Sequence, residues 1–357
     1  MFQKIVQEKF NILKNKQDVL VLGIESSCDE TSIAVVKNGR EVLSNIVSSQ
    51  VDIHERFGGV VPEVASRNHL LAIDNVLEKS LKEAKTSLSE IDAIAVTYGA
   101  GLAGALMVGV SYAKALAYAC RVPLIAVNHI KAHISANYIV DKTLQPPFIA
   151  LVVSGGHTAL IRVDDYVNQT LISTTHDDAV GESYDKVAKV LGLGYPGGPK
   201  VDKLAKLGKA NIEFVKKPSN NLVFSYSGLK TAVINYVHKL KQGNCEVPVE
   251  DICASFQKHV VSELVEKSLL ACKKHNLDTL VVAGGVSANS YLRELLKEKG
   301  VKNSVKVIIP PFEYCTDNAT MVASEGYFLI KNGKGLADLN LTADASINLK
   351  YSNQLEE

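Results

Sequence analysis

The order of strand-like and helix-like stretches constrains this chain more than any other feature. Residues 19–25 are apolar and β-branched and read as a buried strand, and 31–37 read as a second. The polar turn Ser26-Ser27-Cys28-Asp29-Glu30 joins them, and 41–48 make a third strand. A helical period runs through 64–85 on Leu70, Leu71, Ile73, Val76, Leu77 and Leu81. A strand over 91–97, a small-residue helix over 102–119 and an apolar strand over 122–127 complete a β-β-β-α-β-α-β order. The Pro-rich joint Gln145-Pro146-Pro147 then breaks the pattern.

After the joint the order returns. Residues 148–153, 158–163 and 171–175 read as strands, the first two linked by Ser154-Gly155-Gly156-His157. Helices are expected over 182–191, 229–240, 251–274, 288–299 and 318–330, with strands over 280–283 and 305–309. Sequence identity between the halves is negligible, so the duplication is one of pattern. Two such α/β lobes facing each other leave a cleft, the usual place for a nucleotide. The expected organisation is an extension over 1–17, an N-terminal lobe over 18–145, a C-terminal lobe over 146–335 and a tail over 336–357.

The bulk properties exclude some classes. A chain of 357 residues has room for two domains. Lys+Arg number 39 against 38 Asp+Glu, so there is no polycationic signature, and any RNA contact must come from local patches or a partner. No apolar run approaches the roughly 18 residues that span a bilayer; the longest, 99–110, is interrupted by glycines. The six cysteines form no C-x-x-C pair, and no secretory signal is present, which suggests a reduced, cytoplasmic setting. The extension carries apolar Phe2, Ile5, Val6, Phe10, Ile12 and Leu13 and reads as an amphipathic helix. A transit peptide is the lesser alternative, because Arg and Ser are missing and Glu8 is present.

Chemistry concentrates at four places. His129 and His133 are four residues apart, so on a helix both imidazoles share a face and can reach one metal ion. The zinc-protease pattern puts a Glu directly after the first His as general base, and here Ile130 stands there. Asp317, at the expected start of a helix, reads either as a first-turn acid or as a third ligand. Ser154-Gly155-Gly156-His157-Thr158 can form an anion nest or an ordinary hairpin turn. Gly284-Gly285-Val286-Ser287-Ala288-Asn289 opens a helix, where free N–H groups and the Asn289 amide can meet a nucleoside or simply cap the helix. Neither matches a dinucleotide fingerprint or a P-loop. Tyr195-Pro196-Gly197-Gly198-Pro199 reads as a stiff loop between Asp185 and Asp202. Each Asp can accept from ribose hydroxyls, and Asp185 can equally pair with Lys186 in solvent. His54, His69, His176, His238, His259 and His275 read as surface or helix residues, and the cysteines as small buried groups.

Nine motifs in order carry a family resemblance over roughly 19–335. They are Gly23-Ile-Glu-Ser-Ser-Cys-Asp-Glu-Thr31, Gly58-Gly-Val-Val-Pro-Glu63, His129-x-x-x-His133, Ser154-Gly-Gly-His-Thr158, Asp185-Lys186, Tyr195-Pro-Gly-Gly-Pro199, Phe224-Ser-Tyr-Ser-Gly-Leu-Lys230, Gly284-Gly-Val-Ser-Ala-Asn289 and Cys315-Thr-Asp-Asn318. The chain resembles the TsaD family, formerly called Gcp or O-sialoglycoprotein endopeptidase, the catalytic subunits of tRNA N6-adenosine threonylcarbamoyltransferase. The resemblance implies the duplicated actin/hexokinase/heat-shock ATPase-like fold. It implies transfer of a threonylcarbamoyl group from threonylcarbamoyl-AMP to N6 of adenosine 37 in tRNAs that read codons beginning with A. It implies one divalent metal, iron with zinc as the alternative, on His129, His133 and Asp317. The adenylate is expected on Val152, Val153, Ser154, Gly155, Gly156, Asp185, Gly198, Asp202 and Asn289, with no side-chain nucleophile. The implied partners are tRNA, the inactive paralogue TsaB and the ATPase TsaE, with no membrane. Ala100 and Asn128 depart from the family's usual Pro and His. The competing readings are a metalloprotease, which Ile130 opposes, and a non-catalytic nucleotide-binding regulator or sugar kinase of the same fold, which the His pair opposes.

Overall fold

The computed structural model describes residues 2–215 and 221–347. Met1 of the extension and residues 348–357 of the tail lie outside the described residues. The extension forms helix α1 (Phe2–Leu13), whose Val6, Phe10 and Leu13 are buried. Strands β1 (Leu20–Glu25), β2 (Glu30–Lys37) and β3 (Glu41–Ser49) make an antiparallel meander, with Gly23 opposite Ala34 and Ile33 opposite Ile46. Short helix α2 (Val51–Glu55) and long helix α3 (Pro62–Ala84) lead to β4 (Ala93–Gly99), which joins β1 in parallel. Helix α4 (Ala103–Cys120) leads to β5 (Leu124–Asn128), parallel to β4, and then to α5 (His129–Val140).

The second half repeats this plan. Strands β6 (Phe148–Val153), β7 (Thr158–Val163) and β8 (Gln169–Thr174) form an antiparallel meander. Helices α6 (Val180–Val190), α7 (Gly197–Ala205), α8 (Ser227–Gln242) and α9 (Val249–His275) precede β9 (Thr279–Ala283), parallel to β6. Helix α10 (Ser290–Lys302), strand β10 (Lys306–Ile308) and helix α11 (Ala319–Lys331) close the unit, and β11 (Leu336–Ala337) follows. The sheets read β11-β5-β4-β1-β2-β3 and β10-β9-β6-β7-β8. Apart from the edge strand β11, the two orders are the same, so the duplication of pattern is a duplication of topology.

The lobes exchange helices. On α11, Met321, Val322, Ala323, Leu329 and Ile330 share an apolar cluster with Val21, Val36, Ala95 and Ile125 of the first sheet. On α5, Ile130, Ile134 and Tyr138 pack with Phe148, Ala150, Ile161 and Val281 of the second. The two helices also pack on each other between the sheets. Helix α11 approaches β1 so closely that a Cβ on Gly23 would stand 2.2 Å from the Ala319 carbonyl oxygen. Helix α1 ties down the other end of α11, because Lys331 Nζ donates to the carbonyls of Leu13, Lys14 and Lys16.

Three expectations change. The stretch read as a stiff loop contains α7. Its Pro199 sits in the first turn, where the missing N–H has no helical partner to lose. The helix expected from 288 starts at Ser290, after a 3-10 turn over Gly285–Ala288. Helix α4 is long and apolar enough, by length and composition, to cross a bilayer. Here it packs through Ala105, Leu106, Gly109, Val110, Ala113 and Ala117, against the first sheet and α3. The six cysteines are free; Cys253, Cys272 and Cys315 are buried as expected, whereas Cys245 is exposed. His69 is buried on α3, accepting from Thr31 Oγ1 at 2.7 Å and donating to the Cys28 carbonyl at 3.0 Å.

Gly23→Val forces a side chain against backbone that cannot yield, so it costs about 1–3 kcal/mol, toward the upper end. A urea unfolding midpoint equal to wild type would contradict the β1–α11 contact.

Candidate active site

Strand β5 delivers His129 at its C-terminal end, the edge of a parallel strand where ligands gather. The Asn128 side chain caps α5 by accepting from the N–H groups of Ile130 and Lys131. Helix geometry then puts His133 on the same face, with ring centroids 4.6 Å apart. Asp317 arrives from the other half, directly before α11. The cap of α11 is Asn318, which accepts from Thr320 and Met321 N–H groups, so Asp317 is free of that role. Asp317 Oδ1 lies 3.1 Å from His133 Nε2 and 3.6 Å from His129 Nε2. One ligand atom from each of the three residues falls within 4.8 Å of the others.

This donor set fits a metal ion. Ligands about 2.0–2.2 Å from a tetrahedral centre stand roughly 3–3.5 Å apart, close to the spacings seen. His133 is 1% exposed; its Nε2 faces Asp317, and its Nδ1 completes no hydrogen bond among the described residues. Glu25 is buried behind His129 and accepts from Ser27 N, Thr97 Oγ1 and His129 Nδ1, the last at 3.2 Å. A carboxylate can only accept, so His129 Nδ1 carries a proton toward Glu25 and Nε2 is the ring atom that faces Asp317.

The charges oppose burial. Burial drives the His129 imidazole toward neutrality, but Asp317 and Glu25 outweigh it and raise it to about 9. Burial raises the Asp317 carboxyl, and the two imidazoles overcome this and hold it down to about 2. Burial, and then Asp317 and Asp29, push the Glu30 carboxyl well above its ordinary value. Burial and Asp29 push the Cys28 thiol up, away from thiolate.

The glycine turns converge on a cavity of about 500 Å³. Gly155, Asp185, Gly198, Asp202, Gly285 and Asn289 all line it. A Cβ on Gly155, Gly198 or Gly285 would meet nothing within 4 Å, so these backbones face open space. At Gly284, φ is +90° and a Cβ would stand 2.5 Å from the Val153 carbonyl oxygen, so only glycine fits. The turn from Ser154 closes through Ser154 N to the His157 carbonyl and His157 N to Ser154 Oγ. It spans from the cavity wall at Gly155 to His157, whose imidazole is held down to about 4 by burial and then by His129 and His133.

The polar atoms of several expected ligands are engaged by the protein itself. Asn289 Oδ1 caps α10 at Leu292 N, and its Nδ2 donates to Gln257. Asp202 accepts from Gln257 and from the N–H and hydroxyl of Ser290. Asp185 accepts from Gly197 N at 2.7 Å, and burial raises its carboxyl. Lys186 pairs with Glu182 and Asp178, so the solvated Asp185–Lys186 pair does not form. The side chains of Val152 and Val153 are buried, leaving only their backbone to the turn. Gly156 is open. Sequence reasoning passed over Glu25 and His157 as site residues, although both stand inside motifs it had singled out.

Fold and site together define a two-lobed α/β protein with the actin/hexokinase/heat-shock ATPase-like fold, carrying a His–His–Asp cluster and a glycine-walled cavity. Solved structures share the fold. HypF of T. kodakarensis aligns with a TM-score of 0.61 at 15% identity, over 88% of this chain and 48% of that one. The (R)-2-hydroxyglutaryl-CoA dehydratase component A of Acidaminococcus fermentans aligns with a TM-score of 0.50 at 17% identity, over 87% of this chain and 99% of that one. The family described as TsaD, tRNA N6-adenosine threonylcarbamoyltransferase, matches residues 41–324. The enzyme of that name from Clostridium perfringens SM101 is 54% identical over 333 residues, 92% of this chain and 98% of that one. The one from Clostridium kluyveri ATCC 8527 is 54% identical over 339 residues, 93% of this chain and 98% of that one. The chain belongs to the TsaD family.

Metal analysis of purified variants checks the cluster. Glu25→Gln loses the carboxylate that orients His129 and weakens metal binding by about 10–100-fold with the fold intact. Metal content and affinity equal to wild type would remove Glu25 from the site. Asn289→Ala lowers unfolding stability by about 1 kcal/mol through the lost cap; an unchanged urea midpoint would contradict the capping role.

Proposed function

We propose that this chain transfers the threonylcarbamoyl group from threonylcarbamoyl-AMP to N6 of adenosine 37 in tRNAs that read codons beginning with A, releasing AMP. The observation that carries this is near-full-length identity with relatives of that name, 54% over 98% of one of them. His129, His133 and Asp317 would hold one divalent metal, iron with zinc as the alternative, and Glu25 would orient His129. When bound, such an ion supplies Lewis acidity toward the oxygens of the carbamoyl-phosphate anhydride.

The rest is the chain's own work. The open backbones at Gly155 and Gly285 let N–H groups approach the adenylate and fix its phosphate. Asp185 and Asp202 line the same cavity, and their lone pairs left over from protein bonds suit ribose hydroxyls. Holding the acyl carbonyl in one place relative to incoming N6 turns an encounter into a unimolecular step. No side-chain nucleophile is required, and the raised thiol of Cys28 suits that. The protease reading lacks its base, because Ile130 is buried in the apolar cluster of the second sheet. TsaB and TsaE are the partners this reading implies, and a near-neutral net charge of +1 suits a subunit that shares the tRNA surface with them in the cytoplasm.

Mass spectrometry of tRNA nucleosides tests this, after incubation of the chain with its partners, unmodified tRNA and the adenylate. Threonylcarbamoyladenosine should form with wild type and fall at least about 100-fold with His133→Ala. Full activity of His133→Ala would contradict the metal role. Peptide cleavage without tRNA modification would overturn the whole reading.

A further inference from the structure

The hydrogen-bonding walls of the cavity leave one aromatic side chain unexplained. Phe312 begins a 3-10 turn, Phe312–Tyr314, between β10 and α11, and it is 66% exposed. An exposed Phe is common and by itself carries no meaning. This one is constrained twice. The Arg293 guanidinium stands 5.0 Å from its ring centroid. Arg293 is in turn fixed by the carbonyls of Ser287 at 3.1 Å and Pro310 at 2.8 Å. The ring is therefore clamped from one side by a cation that is itself pinned.

The second constraint is position. Phe312 lines the 500 Å³ cavity together with Pro199, Val286 and Ala288, whereas Arg293 does not. The ring thus borders the cavity, while the guanidinium that fixes it stays outside the lining. A pre-ordered ring beside apolar walls offers nothing to a phosphate and much to a flat π system.

We infer that Phe312 stacks on the purine base of the nucleotide bound in this cavity and sets how firmly that base is held. The assignment rests on the reading of the cavity as the adenylate site and adds the residue that recognises the base. The glycine turns then serve the phosphate end, and Phe312 the base end. Arg293 acts through Phe312, as a positioning residue.

The test titrates the full chain with AMP by calorimetry and measures transfer kinetics for wild type, Phe312→Ala and Phe312→Tyr. Phe312→Ala should weaken AMP binding by about tenfold, and Phe312→Tyr should restore it, since any aromatic face can stack. The KM for the adenylate should rise in Phe312→Ala while kcat stays within about twofold. Unchanged AMP affinity in Phe312→Ala overturns the assignment. So does a rise confined to the KM for tRNA, which would make an RNA base the ring's partner. If wild type itself does not bind AMP, the adenylate reading of the cavity fails first and takes this assignment with it.

Discussion

The packing of α11 against α5, with α11 pressed onto β1 at Gly23, is the constraint from which the rest follows. A parallel strand edge would present His129 and His133 in any fold of this kind. Only the crossing of the two helices brings Asp317, from the opposite half of the chain, within 3.1 Å of His133. Gly23 makes the approach sterically available, and the apolar faces of both helices hold it. The cluster is therefore a product of the lobe exchange and depends on the core that stabilises it.

Burial gives that geometry its electrostatic character. Two carboxylates, Glu25 and Asp317, flank an imidazole pair that is largely buried, with Asp317 at its more accessible side. Unpaired, charges in such a place are strongly unfavourable. His129 responds by taking a proton that burial alone would remove. A bound cation would replace that proton and take His133 as a ligand through Nε2, the nitrogen that now faces Asp317. The Ser154–His157 turn carries both Gly155, which lines the glycine-walled cavity, and His157, whose imidazole feels the charges of His129 and His133.

Much of this was legible in the chain because period-2 and period-3.6 patterns report burial directly. The strand order of both meanders, the His pair on one helical face and the glycine turns all follow from local rules. Features made by distant residues were not legible that way. Asp317 reads as a helix-start acid or as a third ligand, and until α11 is seen on the first sheet only family resemblance chooses between them. The Asn289 amide looked available for a ligand because Gln257, 32 residues away, cannot be foreseen as its partner. Helix α7 was hidden by Pro and Gly, which read as loop formers although Pro is at home in a first turn. Phe312 carries no motif, and its role rests on a stack with Arg293 that spacing does not announce.

The central claim is that one cation is shared by residues of both halves. Anomalous diffraction at the iron and zinc edges from crystals of metal-loaded protein tests it most directly. The account requires a single peak about 2.0–2.2 Å from His129 Nε2, His133 Nε2 and an Asp317 oxygen. A fully loaded protein whose peak lies elsewhere, or whose Asp317 turns away from the imidazoles, would contradict it.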